Sequence, residues 1–252
     1  MTVWLNGELV PYSPVDAGFL TGAGVFEALK VLRSTPFALT RHLERLAASA
    51  ARLGLPLPDV RLAVAEVIAA NGVVDGRLRI TVTAETVLVS VGPLTAWPAV
   101  ADVVIAPWPR NERGALVGVK AISHGENIVA MAYAAERGAG EAVLGNTAGN
   151  LCEGTSTNVF LAAGGRLFTP PLSAGCLPGV TRDLVIDLTG ADELAVPLTA
   201  LAEADEAFLT SSTRDVQPIR LVDGVALPAA PGRLTRNAAS AFKDLLARDL
   251  DP

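Results

Sequence analysis

Short segments with alternating apolar residues recur along the first part of this sequence, and two helical segments lie between them. The first two strand-like segments flank Asn6-Gly7, which is a strong signal for a β-hairpin. Apolar residues spaced for one helix face predict helices over Arg41–Leu53 and Pro58–Ala70. Further strands are predicted at Val25–Leu32, Leu78–Thr83, Val87–Val91 and Val103–Ile105. Residues 1–107 are therefore expected to form an α+β lobe with a mostly antiparallel sheet.

A polar, turn-like segment, Trp108–Gly114, follows and is predicted to be an interlobe linker. Residues 115–252 are expected to form a second lobe. Its predicted helices are Glu126–Arg137, Val180–Leu188 and Thr235–Leu250. Its predicted strands are Glu141–Leu144, Val159–Ala162, Arg166–Phe168, Ala207–Thr210 and Val216–Leu221.

The composition fits a packed globular protein and argues against several classes of partner. Half of the 252 residues are hydrophobic and only 18% are charged, which excludes a disordered chain. The net charge of −6 has the wrong sign for binding nucleic acid or an anionic membrane surface. The first ten residues show no export signal, so a cytoplasmic protein is expected. The cysteines and histidines show no metal-ligand spacing, and no metal is expected.

The three lysines, Lys30, Lys120 and Lys243, differ in their sequence neighbours. Lys243 is expected on the polar face of the last helix, and Lys30 on the outward face of a strand. Lys120 follows Leu116–Val119 and precedes two more apolar residues, with no acid beside it. A lysine in such surroundings has a lowered pKa and can act as a nucleophile toward carbonyl groups. A structural lysine whose ammonium group reaches solvent explains the same pattern equally well.

Three polar clusters stand next to predicted strands or helices. Glu153 lies among small hydroxyl and amide side chains, which suits a cationic ring nitrogen but also an ordinary turn. Pro178-Gly179 leads into a helix whose free N–H groups could bind an anion, although many helices begin in this way. The hydroxyl side chains of residues 210–213 follow an apolar strand, and by themselves they indicate only a loop.

Eight segments occur in a fixed order along nearly the whole chain: WLNGELV, GAGVFEALKV, RHLERL, RLRITVT, the segment around Lys120, LCEGTSTNVF, LPGVTRDLV and FLTSSTRDVQPI. In these segments the chain resembles the fold-type IV pyridoxal-phosphate enzymes, which include branched-chain aminotransferases, D-amino-acid aminotransferases and aminodeoxychorismate lyases. The resemblance implies an α+β, D-amino-acid-aminotransferase-like fold with a small α/β N-terminal lobe and a larger, β-barrel-like C-terminal lobe. It also implies a homodimer that acts on a small amine or amino-acid substrate.

The resemblance further implies roles for individual residues. Lys120 would form the Schiff base with pyridoxal 5'-phosphate (PLP) and shuttle protons, and Glu153 would pair with the pyridine nitrogen. Arg45 would bind the cofactor phosphate through its guanidinium group. Additional phosphate contacts would come from the backbone N–H groups of Val180 and Thr181, from the Thr181 hydroxyl and from Ser212.

Departures from the family pattern bear on the reaction. Ala84 stands where D-amino-acid aminotransferases carry an arginine, and Ser123 and His124 replace a stretch with tyrosine and asparagine that many aminotransferases carry. Arg79 is a candidate for binding a substrate carboxylate, with an outward-facing strand arginine as the alternative. The length is nearer to that of the lyases than to that of branched-chain enzymes.

These features favour a 4-amino-4-deoxychorismate lyase, which forms pyruvate and the folate precursor 4-aminobenzoate. The main alternative is an aminotransferase for branched-chain or D-amino acids. A catalytically silent relative is a third possibility, but it would have no need to keep Lys120, Glu153 and Arg45 together.

Overall fold

A four-stranded sheet with helices on one face forms the first part of the chain. The computed structural model of the protein describes residues 2–5, 8–11 and 17–252. The elements here are β1 (Thr2–Leu5), β2 (Glu8–Pro11), α1 (Ala17–Thr21), β3 (Val25–Leu32), β4 (Thr35–Pro36), α2 (Leu39–Arg52), α3 (Arg61–Ala70), β5 (Gly76–Val82) and β6 (Val87–Gly92). The sheet has the order β4-β3-β5-β6 with antiparallel pairing throughout, as predicted. Strands β1 and β2 also pair antiparallel, while the Asn6-Gly7 turn lies outside the described residues.

The two central strands of this sheet have one apolar face and one face that lines a cavity, because successive side chains of a strand point to opposite sides. The apolar face is buried against α2 and α3 and carries Val25, Leu29, Val31, Leu78, Ile80 and Val82. On the other face, Phe26 and Ala28 of β3 lie beside Arg77 and Arg79 of β5. The helices thus cover one side of the sheet and leave the other side to the cavity.

A larger mixed sheet of nine strands forms the rest of the molecule. Its elements are β7 (Ala101–Ile105), α4 (Gly125–Glu136), β8 (Glu141–Gly145), β9 (Leu151–Gly154), β10 (Asn158–Ala163), β11 (Arg166–Thr169), α5 (Val180–Thr189), β12 (Asp192–Glu193), β13 (Glu206–Ser211), β14 (Asp215–Val222), β15 (Val225–Ala226) and α6 (Arg233–Arg248). The strand order is β12-β11-β10-β13-β14-β7-β8-β9, and β15 pairs with β14. No helix within residues 17–252 is long and apolar enough to cross a lipid bilayer.

The central strands of this sheet are buried on both faces. Val159 and Leu161 belong to one apolar core, whereas Phe160, between them, belongs to a second core that α5 and α6 cover. In the second core, the rings of Phe160 and Phe208 stack with their centroids 4.8 Å apart. A strand that is buried on both faces needs a continuous apolar run, which explains the unbroken hydrophobic segments of β10 and β13.

The strand predicted at Val103–Ile105 was expected in the N-terminal lobe, and this expectation is wrong. The strand β7 pairs in parallel with β14 and β8, so it belongs to the larger sheet. Its hydrogen-bonding partners lie far away along the chain, and short apolar strands carry no local mark of the sheet that they join. The division into residues 1–107, a linker at 108–114 and residues 115–252 stays a prediction, and sheet membership favours a boundary before β7.

Contacts with the C-terminal part join the two sheets, among them one from Lys30 of β3 and one from Phe37, which follows β4. Lys30 was expected to face outward, but its side chain is buried in an ion pair with Asp215 of β14. Phe37 packs edge-to-face on Phe242 of α6, with the ring centroids 5.8 Å apart. On the face of β3 that the helices leave uncovered, Phe26 and Ala28 therefore line the cavity, while Lys30 meets the larger sheet.

Candidate active site

A cavity of about 890 Å³ opens between the polar face of the first sheet and the loops of the second. Six of the seven predicted site residues line it: Arg45, Arg79, Lys120, Glu153, Thr181 and Ser212. The side chain of Val180 instead packs in the core beneath α5, and only its backbone begins that helix. Residues from both halves of the chain thus meet at one site.

Lys120 is held on the edge of β3. The Phe26 N–H donates to the Lys120 carbonyl oxygen at 2.9 Å, and the Lys120 N–H donates to Ser49 Oγ at 3.3 Å. The Lys120 ammonium lies 4.6 Å from the centroid of the Phe26 ring. Burial lowers the pKa of Lys120 to about 8, helped by the positive charges of Arg45 and Arg79 against two opposing carboxylates. Roughly one amine in ten is therefore unprotonated at pH 7, a far larger fraction than for an exposed lysine, and the unprotonated amine is the nucleophile.

Glu153 lies on β9, and not in the turn that its neighbours suggested. Its Oε2 accepts the Leu177 N–H at 2.9 Å, and its Oε1 is 3.3 Å from Arg110 Nε. Burial raises the pKa of the Glu153 carboxyl, while the charge of Arg110 and the Leu177 N–H act in the opposite direction. A cation placed against this carboxylate would stabilise its ionised form, which suits a protonated ring nitrogen.

The hydroxyl groups after Glu153 serve a different carboxylate from the one that the sequence suggested. Glu141, fully buried on β8, accepts the Thr155 N–H and hydroxyl and the Ser156 hydroxyl, and it pairs with Arg214 at 3.2 Å. The Thr157 hydroxyl completes the set at 3.3 Å. Glu141 therefore holds the loop that leaves β9 beside the cavity, a role that the sequence reasoning missed.

Arg45 belongs to a buried network that the sequence reasoning also missed. Its Nε and one terminal nitrogen donate to the two oxygens of Glu27 at 2.8 and 2.7 Å. His42 Nδ1 lies 2.7 Å from the same carboxylate, and its Nε2 lies 3.4 Å from Ser212 Oγ. Although burial acts to raise it, the pKa of Glu27 is lowered to about 2 by the charge and hydrogen bonds of Arg45 and by His42.

Burial decides the protonation state of His42, and the sequence already pointed to the burial of Glu27. Burial lowers the pKa of His42, so the ring is neutral and donates through Nδ1 to Glu27. The signal for Glu27 was present in the sequence, because strand alternation places this carboxylate on the apolar face with Val25 and Leu29. A buried carboxylate requires partners, and the RHLERL helix supplies them.

The loop before α5 completes an anion-binding corner. Arg45 donates to the Pro178 carbonyl at 2.9 Å, and Asn158 donates to the Leu177 carbonyl at 2.9 Å. A side chain at position 179 would place its Cβ 2.0 Å from Asn158 Oδ1, so only glycine fits there. The first N–H groups of α5, the Thr181 and Ser212 hydroxyls and the Arg45 guanidinium line this corner, and such a donor set fits a phosphate group.

Arg79 and Arg77 form a cationic wall on β5. The Arg79 guanidinium lies 3.9 Å from the centroid of the Phe26 ring, and its Nε donates to Thr81 Oγ1 at 3.1 Å. Burial and the neighbouring charge of Arg77 lower the pKa of Arg79, but an arginine remains charged at neutral pH. Within the described part of the chain, no carboxylate pairs with either side chain. Both guanidinium groups are therefore available to a bound anion.

On the role that the family resemblance implies for Arg45, its replacement by alanine is expected to weaken PLP binding by about 10- to 100-fold, because a charge-assisted hydrogen bond to the phosphate would be lost. Titration of the cofactor-free protein with PLP, followed by absorbance, measures the dissociation constant. Arg41→Ala is the matched control, since Arg41 lies on the same helix and pairs with Asp187 at the surface. Equal dissociation constants for the two variants would show that Arg45 does not bind the phosphate.

Comparison with known sequences identifies the family and several relatives. A sequence model of the family described as "Amino-transferase class IV" matches residues 24–222. The chain is 29% identical over 277 residues to a candidate branched-chain-amino-acid aminotransferase of Methanocaldococcus jannaschii, covering 97% of this chain and 96% of that protein. It is also 29% identical over 274 residues to the D-alanine aminotransferase of Bacillus licheniformis, with the same coverage of 97% and 96%.

A solved structure shows the same fold. The fold is similar to that of a candidate 4-amino-4-deoxychorismate lyase from Legionella pneumophila, with a TM-score of 0.87 and 22% identity. The match covers 93% of this chain and 96% of that chain.

Proposed function

Since the chain belongs to the amino-transferase class IV family, we propose that it acts as a 4-amino-4-deoxychorismate lyase that releases pyruvate and 4-aminobenzoate. Enzymes of this family depend on PLP, so the predicted cofactor is confirmed. The predicted fold class, the two-lobe α+β fold of the fold-type IV enzymes, is confirmed as well. When bound, PLP supplies a protonated ring that withdraws electrons from the carbon beside the substrate amine.

The residues around the cavity divide the work of holding the cofactor. Lys120 holds it covalently through an amine whose pKa burial lowers to about 8. Glu153 receives the ring nitrogen and keeps it protonated, and Arg45, Thr181 and Ser212 hold the phosphate together with the N-terminus of α5. The anion-binding corner and Glu153 are linked through two adjacent residues. The Leu177 N–H donates to Glu153, and the Pro178 carbonyl accepts from Arg45.

The observation that carries the lyase assignment is the cationic wall of Arg77 and Arg79 without acidic partners. The proposed substrate has two carboxylates, one on the ring and one on the enolpyruvyl group. Two adjacent guanidinium groups fit such a dianion better than they fit the single carboxylate and apolar side chain of a branched-chain amino acid. Arg79, deeper in the cavity than the exposed Arg77, would bind the carboxylate nearer to Lys120.

The net change from substrate to products is the transfer of one proton from the ring to the leaving group. Freed by the substrate amine, Lys120 takes the proton from C4 of the ring, and the C3–O bond to the enolpyruvyl group breaks as the ring becomes aromatic. Lys120 then returns the proton to the leaving group, which departs as pyruvate. The atoms balance without water or an oxidant, so one well-placed base is sufficient.

An aminotransferase is the second candidate, and the names of the two relatives reported above favour it. Lys120 would then move a proton between the substrate carbon and the cofactor, with the same residues around it. Position 84, where D-amino-acid aminotransferases carry an arginine, is an exposed alanine after β5. A substrate carboxylate would then be bound by the cationic wall of Arg77 and Arg79 and not at position 84.

One assay separates the two candidates. The PLP-loaded protein is mixed with freshly generated 4-amino-4-deoxychorismate, and products are followed by chromatography. We expect 4-aminobenzoate and pyruvate to appear in equal amounts and over many turnovers. A parallel sample with alanine, glutamate or leucine as amino donor tests for stable conversion of the cofactor to its amine form. Conversion by a donor, without 4-aminobenzoate release, would replace the lyase assignment by the aminotransferase.

Assembly and location belong to the same proposal. We expect a homodimer in the cytoplasm. Leu20, Ile128 and Val129 expose 53 to 69% of their surface, an amount of apolar area that a subunit interface would cover. Cys152 and Cys176 are both buried as free thiols, as suits a reducing compartment.

A further inference from the structure

His124 has a buried polar atom without a partner beside the candidate site. It is the residue immediately before α4, and its carbonyl oxygen accepts the Ile128 N–H at 3.0 Å, so the helix fixes its backbone. The side chain lines the cavity, and its Nε2 is buried with no hydrogen-bond partner among residues 17–252. Unpaired buried polar atoms are rare, and one at a cavity wall points to a ligand that would pair with it.

The surroundings of His124 show what kind of ligand this is. The imidazole packs edge-to-face on Phe26, with the ring centroids 5.1 Å apart. The same Phe26 ring carries the Arg79 guanidinium at 3.9 Å and the Lys120 ammonium at 4.6 Å. The Phe26 side chain thus contacts three groups: the His124 imidazole, the Arg79 guanidinium and the Lys120 ammonium. A ligand group that reaches this place lies near two positive charges, those of Arg79 and Lys120.

Burial and the neighbouring charges determine the protonation state of the His124 imidazole. Burial lowers the pKa of His124 to about 4, and the positive charges of Lys120, Arg79 and Arg110 act in the same direction. At neutral pH the ring is therefore neutral and has one N–H donor and one acceptor. A neutral N–H donor can hydrogen-bond an anion that Arg79 also binds. It adds no further positive charge to a cavity that already contains Lys120 and Arg79.

We propose that His124 is a specificity-determining residue whose ring nitrogen hydrogen-bonds the substrate carboxylate that Arg79 binds. This proposal rests on the proposed function only in requiring a substrate with a carboxylate, and it applies to a lyase and an aminotransferase alike. Without such a ligand, a nonpolar ring at position 124 would pack on Phe26 equally well and leave no buried nitrogen unpaired.

The chain offers a direct spectroscopic test because His42 and His124 are its only histidines. The PLP-loaded protein, labelled with ¹⁵N in histidine, is titrated with maleate, a dicarboxylate that cannot react. We expect the ring-nitrogen signals of His124 to shift and saturate along the binding curve, while those of the buried His42 stay in place. His124→Phe assigns the two sets of signals by removing one.

The same variant tests the contribution to binding. His124→Phe keeps an aromatic edge against Phe26 and should weaken maleate binding about tenfold, with PLP affinity and the unfolding temperature unchanged. His124→Asn restores a donor and should recover part of the loss. Unshifted His124 signals, or equal maleate affinity in wild type and His124→Phe, would overturn the proposal. If the shifts occur but no 4-aminobenzoate forms, the lyase assignment fails and the role of His124 stands.

Discussion

Lys120→Ala is expected to abolish turnover, with a loss of at least about 10⁴-fold, because in the proposed function the change removes both the covalent hold on PLP and the proton-transferring base. The chemical signature is independent of the substrate. Reduction of the PLP-loaded wild-type protein with borohydride, followed by peptide mass spectrometry, should place the cofactor on the peptide that contains Lys120. The alanine variant should retain no covalently bound cofactor under the same treatment.

Lys243→Ala is the matched control for this experiment, since Lys243 is exposed on α6. It should bind PLP and turn over substrate as the wild type does. Cofactor found on Lys243 or Lys30 in the wild-type protein, or turnover that survives in Lys120→Ala, would contradict the assignment.

The pH dependence of cofactor capture follows from the same amine. The pKa of Lys120 is lowered from 10.5 to about 8, and only the unprotonated amine attacks the aldehyde. The rate at which cofactor-free protein captures PLP should therefore rise with pH and reach half of its maximum near pH 8. Stopped-flow absorbance measures this rate. A midpoint near 10 would show that burial and the Arg45 charge do not act on this lysine.

Glu153→Gln will lower kcat by about 100-fold and change KM much less, because an amide cannot hold the ring nitrogen protonated while charge develops on the ring. The substitution preserves shape, and the Gln side chain can still accept the Leu177 N–H through its amide oxygen. Steady-state kinetics with the substrate that the product assay identifies give both constants.

Glu136→Gln serves as the control for this second change. Glu136 is an exposed residue at the end of α4 whose contact with Arg137 lies at the surface. It should leave kcat and KM unchanged. A Glu153 variant with the kcat of the wild type would mean that the carboxylate serves only to hold residue 177.

Much of the first sheet could be predicted, because apolar residues alternate along its strands in the sequence. The apolar positions of β3 and β5 predicted two strands with one buried face, and the pairing of Val25–Leu32 with Gly76–Val82 follows that pattern. The helices α2 and α3 were likewise visible as periodic segments, although α3 begins at Arg61 rather than Pro58. The Asp59 carboxylate accepts the Arg61 N–H at 3.0 Å, so the residues before it form a turn.

Several features of the site depended on partners far away in sequence. The hydroxyl groups of residues 155–157 bind Glu141, which lies 14 to 16 positions earlier, and not the adjacent Glu153. Lys30 is buried because Asp215 reaches it from a strand 185 positions away. Nothing in the local pattern of either segment identifies these partners, since hydrogen bonding and ion pairing depend on distance in space.

The sequence by itself determined three strands of the N-terminal sheet, β3, β5 and β6, together with the order of the polar clusters and the one lysine with apolar neighbours, because periodicity and residue chemistry are local properties. Only the tertiary structure decided that β7 joins the larger sheet and that Arg45 is held by Glu27 and His42. It also decided that His124 meets Lys120 and Arg79 around Phe26. The reason is that pairing across sheets and burial of charge are settled by which distant segments pack together.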